Sequence, residues 1–270
     1  GWIKAANADD IAAALPQDTP LVELNFTEGD GAATKANLLG KQTDLPLTET
    51  TSWQPGPSGS PAALLDGRAA ELPNRADLEH DQPFSVSCWV KVPAVDSPYA
   101  LVAKLDEANA HRGWDIWVQG RRVAMHLIDA WPENGLKVVA RDQLKANVWT
   151  FVTVTYDGSG TAGGVKIYYD GKLQQRPRVE SNKFKKQTIR TEVPLVIGGR
   201  SRGADAHAVG LSNLAIWGRS LSAAEVEGFS RAEALADIVK LPAAERPEAA
   251  KVLHASWLGH SDGAFQQAAA

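Results

Sequence analysis

Between Leu21 and Trp217 the chain repeats one pattern: apolar side chains at every second position, in short runs closed by turn-forming residues. Val22, Leu24 and Phe26 alternate in this way, as do Phe84, Val86, Cys88 and Val90, and Trp114, Ile116 and Val118. Val123-Met125-Leu127, Val152-Val154-Tyr156 and Val165-Ile167-Tyr169 repeat it. Successive side chains of an extended chain point to opposite faces, so a period of two marks strands with one buried face. Asp157-Gly158 and Asp170-Gly171 have the composition of tight hairpin turns. The pattern predicts an all-β fold, a two-sheet antiparallel jelly-roll sandwich over residues 21–228.

The flanks follow other rules. Within residues 1–20, Ala8–Leu15 closed by Pro16 reads as a short helical connector. Ser222-Ala-Ala-Glu225 is a capping-box pattern that opens a helix running to about Lys240. Pro242 and Pro247 interrupt before a second Ala-rich stretch, so residues 229–270 read as a helical extension into a following domain. With Gly at position 1, the chain is expected to be a piece of a longer polypeptide whose other domains are its neighbours. Residues 40–63, rich in Thr, Pro, Ser and Gly, read as a long irregular loop.

Composition excludes several functions. The 28 Lys and Arg are outnumbered by 32 Asp and Glu, a net charge of −4, whereas nucleic-acid phosphates call for a surplus of cations. No apolar run reaches the roughly 18 residues of a membrane span. The single cysteine, Cys88, lies in an apolar run, which rules out a disulfide framework and a cysteine-based zinc site. Tryptophan is the outlier, with nine Trp against six Phe and four Tyr. Indoles left partly wet often mark a binding surface.

The alternation says which indoles these are. If Trp114, Ile116 and Val118 face the core, then Asp115, Trp117 and Gln119 face outward. On the next strand Val123, Met125 and Leu127 point in, leaving Arg122, Ala124 and His126 outward. Same-face side chains of paired strands lie side by side, so Trp117, Asp115, Arg122 and His126 form one candidate surface. Trp131, in the turn Trp131-Pro-Glu-Asn-Gly135, stands at its edge, and Arg112 and Asn134 flank it. Aromatic planes beside forked donors and acceptors suit carbohydrate, whose rings present C–H faces and hydroxyls. A competing reading makes Trp117 and Trp131 peripheral core covered by loop 40–63.

The segment from Arg176 to Arg190 carries six basic residues against the single acidic Glu180. It reads either as an attractor of acidic polysaccharide or as an edge strand whose lysines deter aggregation. Gly158–Gly164 is glycine-rich but lacks the Gly-Lys-Ser/Thr ending of a phosphate loop, and reads as a hairpin loop. His207, His254 and His260 lack metal-ligand spacing and read as surface residues.

Leu65-Asp-Gly67, Phe84–Val90, Trp149–Gly158, Val165–Lys172 and Ile216–Val226 occur in an order that resembles the laminin-G-like, concanavalin A-type lectin/glucanase superfamily. The stretch from His111 to Pro132 is similar to a variant in large multidomain planctomycete-type bacterial proteins, where a lectin-like domain sits among cytochrome-c-like and unknown-function domains. The resemblance implies a binding module in an extracytoplasmic protein, with polysaccharide or another glycan, acidic ones included, as partner. It also implies a calcium ion, but the paired acids of the family's last strand are matched here by Ser212 and Asn213. Asp30 and Asn213 remain as candidate calcium ligands. The resemblance also implies that Trp89 and Trp149 are structural core.

Glucanases of the superfamily carry closely spaced acids on one strand, a pattern missing here. Asp115 is alone on its strand, and Asp106 and Glu107 lie in a connection. A lyase needs a base and a charge-neutralising cation, for which His126, Tyr168 and Arg122 are the available residues. The expected function is therefore non-catalytic carbohydrate binding. A structural spacer is the alternative, and a lyase or hydrolase ranks behind both.

Overall fold

The alternating segments become strands in the computed structural model, which describes residue 16 and residues 18–57, 60–94 and 97–240, the side chains of 233–240 excepted. The expected helix at Ala8–Leu15, the Ala-rich stretch after Pro247, His254 and His260 lie outside the described residues. The chain divides into two compact units, Thr19–Leu221 and Gly1–Asp18 together with Ser222–Ala270.

The first unit is the sandwich. Its early strands are β1 (Val22–Leu24), β2 (Ala33–Leu38), β3 (Lys41–Pro46), β4 (Thr51–Pro55), β5 (Pro61–Asp66) and β6 (Ala70–Leu72). Its middle strands are β7 (Phe84–Lys91), β8 (Tyr99–Asp106), β9 (Arg112–Gln119), β10 (Arg122–Ala130) and β11 (Asn134–Val139). The series closes with β12 (Trp149–Tyr156), β13 (Val165–Tyr169), β14 (Lys172–Leu173), β15 (Arg178–Asn182), β16 (Leu195–Ile197) and β17 (His207–Trp217). One sheet has ten strands, ordered β14-β13-β12-β7-β17-β1-β2-β3, with β5 also on β17 and β4 on β5. The other has seven, ordered β15-β11-β10-β9-β8-β16-β6.

Between the sheets lies the apolar core, formed by the inward-facing half of each alternation. Phe84, Val86, Cys88 and Val90 meet Trp114, Ile116, Val118, Val123, Met125 and Leu127 there. Trp114 is fully buried, 5.0 Å from the Phe84 ring, and donates Nε1–H to the Ala76 carbonyl at 3.2 Å. That bond removes the one polar atom that would penalise an indole at the centre of a core.

Two expectations are corrected. Residues 40–63 are not an irregular loop, because β3, β4 and the start of β5 occupy them within the ten-stranded sheet. β3 is almost wholly exposed, so it needs no apolar alternation and leaves no trace in hydropathy. Its hairpin with β2 turns through Leu39 and Gly40, both at positive φ (53° and 83°), without the Asn-Gly or Asp-Gly signature. Trp89 is buried as expected, on the opposite face of β7 from Cys88 and Val90, where it packs against Phe151 at 5.3 Å. Trp149 is only partly buried, lies under the Lys91 ammonium at 5.4 Å and donates to the Pro55 carbonyl.

The segment from 176 to 190 follows the edge-strand reading. β15 ends the seven-stranded sheet, mostly exposed, with Arg178 ion-paired to Glu180. The loop Gly158–Gly164 links β12 to β13, and a 3₁₀ turn closes it. His207 is at the surface beside Asp66.

The second unit contributes one described helix, α1 (Ala223–Lys240). The capping box forms as the sequence indicates. The Glu225 carboxylate accepts from Ser222 N–H at 2.8 Å, and Glu225 N–H donates to Ser222 Oγ at 3.3 Å. No described helix is long and apolar enough to cross a membrane.

Glu79, before β7, pins the chain that leaves β15. Its carboxylate accepts from His80 N–H (2.7 Å), Thr188 Oγ1–H (2.7 Å) and Ile189 N–H (3.0 Å). Burial favours the neutral acid, but these bonds outweigh it and bring the carboxyl from 4.5 down to about 2. A depressed folded-state pKa means stability that is present above the unfolded value and lost as pH falls through the folded one. Glu79→Gln is expected to lower unfolding free energy at pH 7 by about 1–2 kcal/mol. In urea titrations the gap to the parent protein should close between pH 4.5 and about 2. A gap independent of pH would show that the charge plays no part.

Candidate functional site

Register builds the site on the outer face of the seven-stranded sheet. One transverse row runs Ala103–Asp115–His126–Lys137–Ser181 across β8, β9, β10, β11 and β15. The neighbouring row sets Trp117 between Ala100 and Ala124. Two flanking alanines leave room for an indole to lie down on the sheet. Ala100, Ala103, Leu105 and Ile128 form an apolar floor, against which Trp117 and Trp131 pack, each partly buried.

Asp115 is the hub. It is 0% exposed, and both carboxylate oxygens are occupied. His126 donates Nδ1–H to Oδ1 at 2.6 Å, while Arg200 gives Nε–H (2.8 Å) and Nη2–H (2.6 Å) to Oδ2. Burial alone would favour the neutral acid, but the Arg200 charge and the hydrogen bonds from His126 and Arg200 hold Asp115 well below the usual carboxylate range. The carboxylate therefore stays ionised, and its role is to orient two neighbours. The Arg200 guanidinium lies 4.1 Å from the Trp117 ring centroid, a cation–π stack that covers one indole face. The His126 ring meets Trp117 edge-on at 5.9 Å and Trp131 at 5.6 Å and 90°.

With Nδ1 committed to Asp115, Nε2 is the His126 nitrogen left for a ligand. His126 lines a cavity of about 230 Å³ whose walls include Trp117, Trp131, Arg200, Pro98 and Ile128. Gln119, Lys137 and His111 complete the lining. His111 follows Ala110, both at positive φ (61° and 52°), and the Ala110 carbonyl accepts Trp131 N–H at 2.9 Å. The β8–β9 and β10–β11 turns are thereby tied together, which sets two walls of the cavity at once. Gly135 lies beneath Trp131, and a Cβ there would stand 3.0 Å from the ring. A larger residue would push the indole away.

The sequence places Trp117, His126 and Trp131 in the site, and the structure brings them together. Asp115 shares their face but is sealed beneath the others, so it positions rather than contacts. Arg122 does not join them; its guanidinium donates to the Gly120 carbonyl of the β9–β10 turn and to the Arg141 carbonyl after β11. The guanidinium of the site is Arg200, which sequence reasoning missed. Arg112 pairs with Asp129 at 3.1 Å. Asn134 is buried and donates to Asp129 (2.9 Å) and Gln187 (2.7 Å), while its oxygen accepts from Lys185 N–H. Arg112 and Asn134 thus brace the periphery outside the cavity. Tyr168 lies in β13 of the other sheet, so the lyase set of His126, Tyr168 and Arg122 is not assembled. The β3–β5 segment belongs to the other sheet and contributes nothing to the cavity lining.

The calcium candidates do not fit a strong site. Asn213 sits at a bulge with φ 48° where β17 changes partner from β5 to β1, and its side-chain oxygen accepts from Ser212 Oγ–H at 3.4 Å. Asp30 lies in an exposed turn. Among the described residues no three His, Cys, Asp or Glu side chains cluster as a metal site, whereas calcium needs several oxygen ligands.

Two antiparallel sheets in a jelly roll define a lectin-type sandwich. Residues 66–227 match the laminin G family model of the "Concanavalin A-like lectin/glucanases superfamily", and the chain belongs to that family. No curated protein matches the chain. Among solved structures, the binding domain of Paraclostridial Mosquitocidal Protein 1 aligns at TM-score 0.60 and 16% identity, over 79% of this chain and 52% of that one. The botulinum neurotoxin serotype D ligand binding domain in complex with N-acetylneuraminic acid aligns at 0.54 and 16%, over 83% and 52%. Trypanosoma rangeli sialidase aligns at 0.57 and 15%, over 84% and 34%. The chain thus spans about half of the toxin domains and a third of the sialidase, and at these identities the likeness is one of fold alone.

Replacing Asp115 by Asn would leave the Arg200 charge buried without its partner, which costs about 3–5 kcal/mol in comparable buried pairs. Denaturant unfolding of Asp115→Asn should show a loss of that order. A loss below about 1 kcal/mol, the scale of an exposed pair, would contradict the clamp.

Proposed function

We propose that the outer-face cavity binds carbohydrate and does not cleave it. The observation that carries this reading is the pairing of two partly exposed indoles, Trp117 and Trp131, around the Nε2 side of an imidazole fixed by a buried carboxylate. Indole faces take the C–H side of a sugar ring, and an oriented ring nitrogen meets a hydroxyl. The lectin-type fold supports the reading.

The chemistry of Asp115 favours binding over turnover. Glycosidic hydrolysis needs a protonated and an ionised carboxyl about 5–10 Å apart across the bond. Asp115 has no proton to give, and neither oxygen faces the cavity free of a partner. In this reading the domain serves a longer, extracytoplasmic protein by holding it against polysaccharide.

A glycan array followed by calorimetry tests the proposal. Trp117→Ala and Trp131→Ala should each weaken binding at least tenfold, about 1.4 kcal/mol, while Trp149→Ala leaves affinity unchanged. An array with no ligand would favour the spacer role. Affinity retained in both indole variants but lost on charge reversal at Arg178 and Lys185 would move the site to the β15 edge.

A further inference from the structure

Resting on that reading, we propose that the cavity takes one neutral pyranose ring and rejects acidic sugars. Two cations line it, and both are already neutralised within the wall. Arg200 gives two N–H groups to the buried Asp115 carboxylate. Lys137 is paired with Glu180 at 2.8 Å and donates to Gln119 Oε1 at 2.6 Å. Gln119 in turn donates to Glu180 Oε1 at 3.1 Å, which closes the network, and Arg178 leans on the same carboxylate from the exposed side. Each of the two cations that line the cavity thus has an anion of the protein beside it.

A carboxylated sugar would have to expel one of these anions or lie beside it. Like charges brought together in a partly desolvated site are strongly disfavoured. A neutral ring meets no such barrier. The groups it can engage without breaking the network are His126 Nε2, the free face of Trp117 and the Trp131 indole. Size points the same way: about 230 Å³ lies below the roughly 300–1,000 Å³ typical of pockets for larger ligands, leaving room for a single ring. The lysines that follow β15 (Lys183, Lys185 and Lys186) do not alter this, because none of them lines the cavity.

The experiment is calorimetric titration of the intact chain with neutral methyl hexopyranosides and their hexuronate counterparts, N-acetylneuraminic acid included, at low salt and about 0.15 M. The expected result is neutral-sugar binding insensitive to salt, with the matching uronate at least tenfold weaker. Glu180→Gln, an exposed-edge change that leaves Lys137 without its anion, should raise uronate affinity several-fold and leave the neutral sugar unchanged. Extending the neutral ligand to a tetrasaccharide should move affinity by less than about threefold. Uronate or sialoside binding as tight as the neutral sugar, or Glu180→Gln shifting both alike, overturns the neutral-ring inference while leaving carbohydrate binding intact. A large gain on chain extension overturns the single-ring size. Failure of every sugar to bind overturns the binding reading itself.

Discussion

Everything at the candidate site depends on a carboxylate that no ligand can reach. Asp115 sits on the outer face of β9, where a charged group would ordinarily be solvated, yet it is fully buried. A buried anion is tolerable only when paired and hydrogen-bonded on all sides. Arg200 and His126 do this, and in doing so each loses its freedom to move. The guanidinium is laid over Trp117, and the imidazole, held through Nδ1, lines the cavity. One desolvated charge therefore orders three side chains that would otherwise sample many rotamers, which is the preorganisation a binding site needs.

The fold supplies the rest through register. β8, β9, β10 and β11 run as consecutive antiparallel neighbours, so Asp115, His126 and Lys137 fall on one transverse row, with Trp117 on the next. A slip of one residue in any of these pairings would send the whole set into the core face. The inward residues of the same strands, Trp114, Ile116, Met125 and Leu127, prevent that slip by burying in the opposite direction. Core packing and site geometry are two faces of the same alternation. The charge pattern around the cavity follows too: cations needed to hold the wall together are spent inside the wall, so a modestly acidic chain can present a cavity with its cations balanced.

Most of this face was legible in the sequence because it depends on local alternation. The periodicity of β9 and β10 turns Trp117 and His126 outward, and the turn that follows β10 carries Trp131. What was not legible depends on distance or exposure. Arg200 lies 85 positions from Asp115 in the chain, on a connection after β16, and no local pattern announces it. Arg122 has the right phase but stands at the end of its strand, where the carbonyls of Gly120 and Arg141 are nearer than the cavity. β3 is almost wholly exposed and β4 only partly buried, so neither carries a clear hydropathic period and both read as loop. Trp89 has the phase of the outer face, but the strand around it is buried on both sides, and such a strand loses the contrast that distinguishes one face from the other.

The most direct test of this account is the imidazole of His126, observed by ¹⁵N–¹H NMR in the free protein and during titration with a neutral glycoside. The account predicts a strongly downfield Nδ1 proton held by Asp115, absent in Asp115→Asn, and an Nε2 resonance that moves as sugar is added. A proton on Nε2 with Nδ1 bare, or an Nε2 signal that stays fixed while sugar binds, would contradict it.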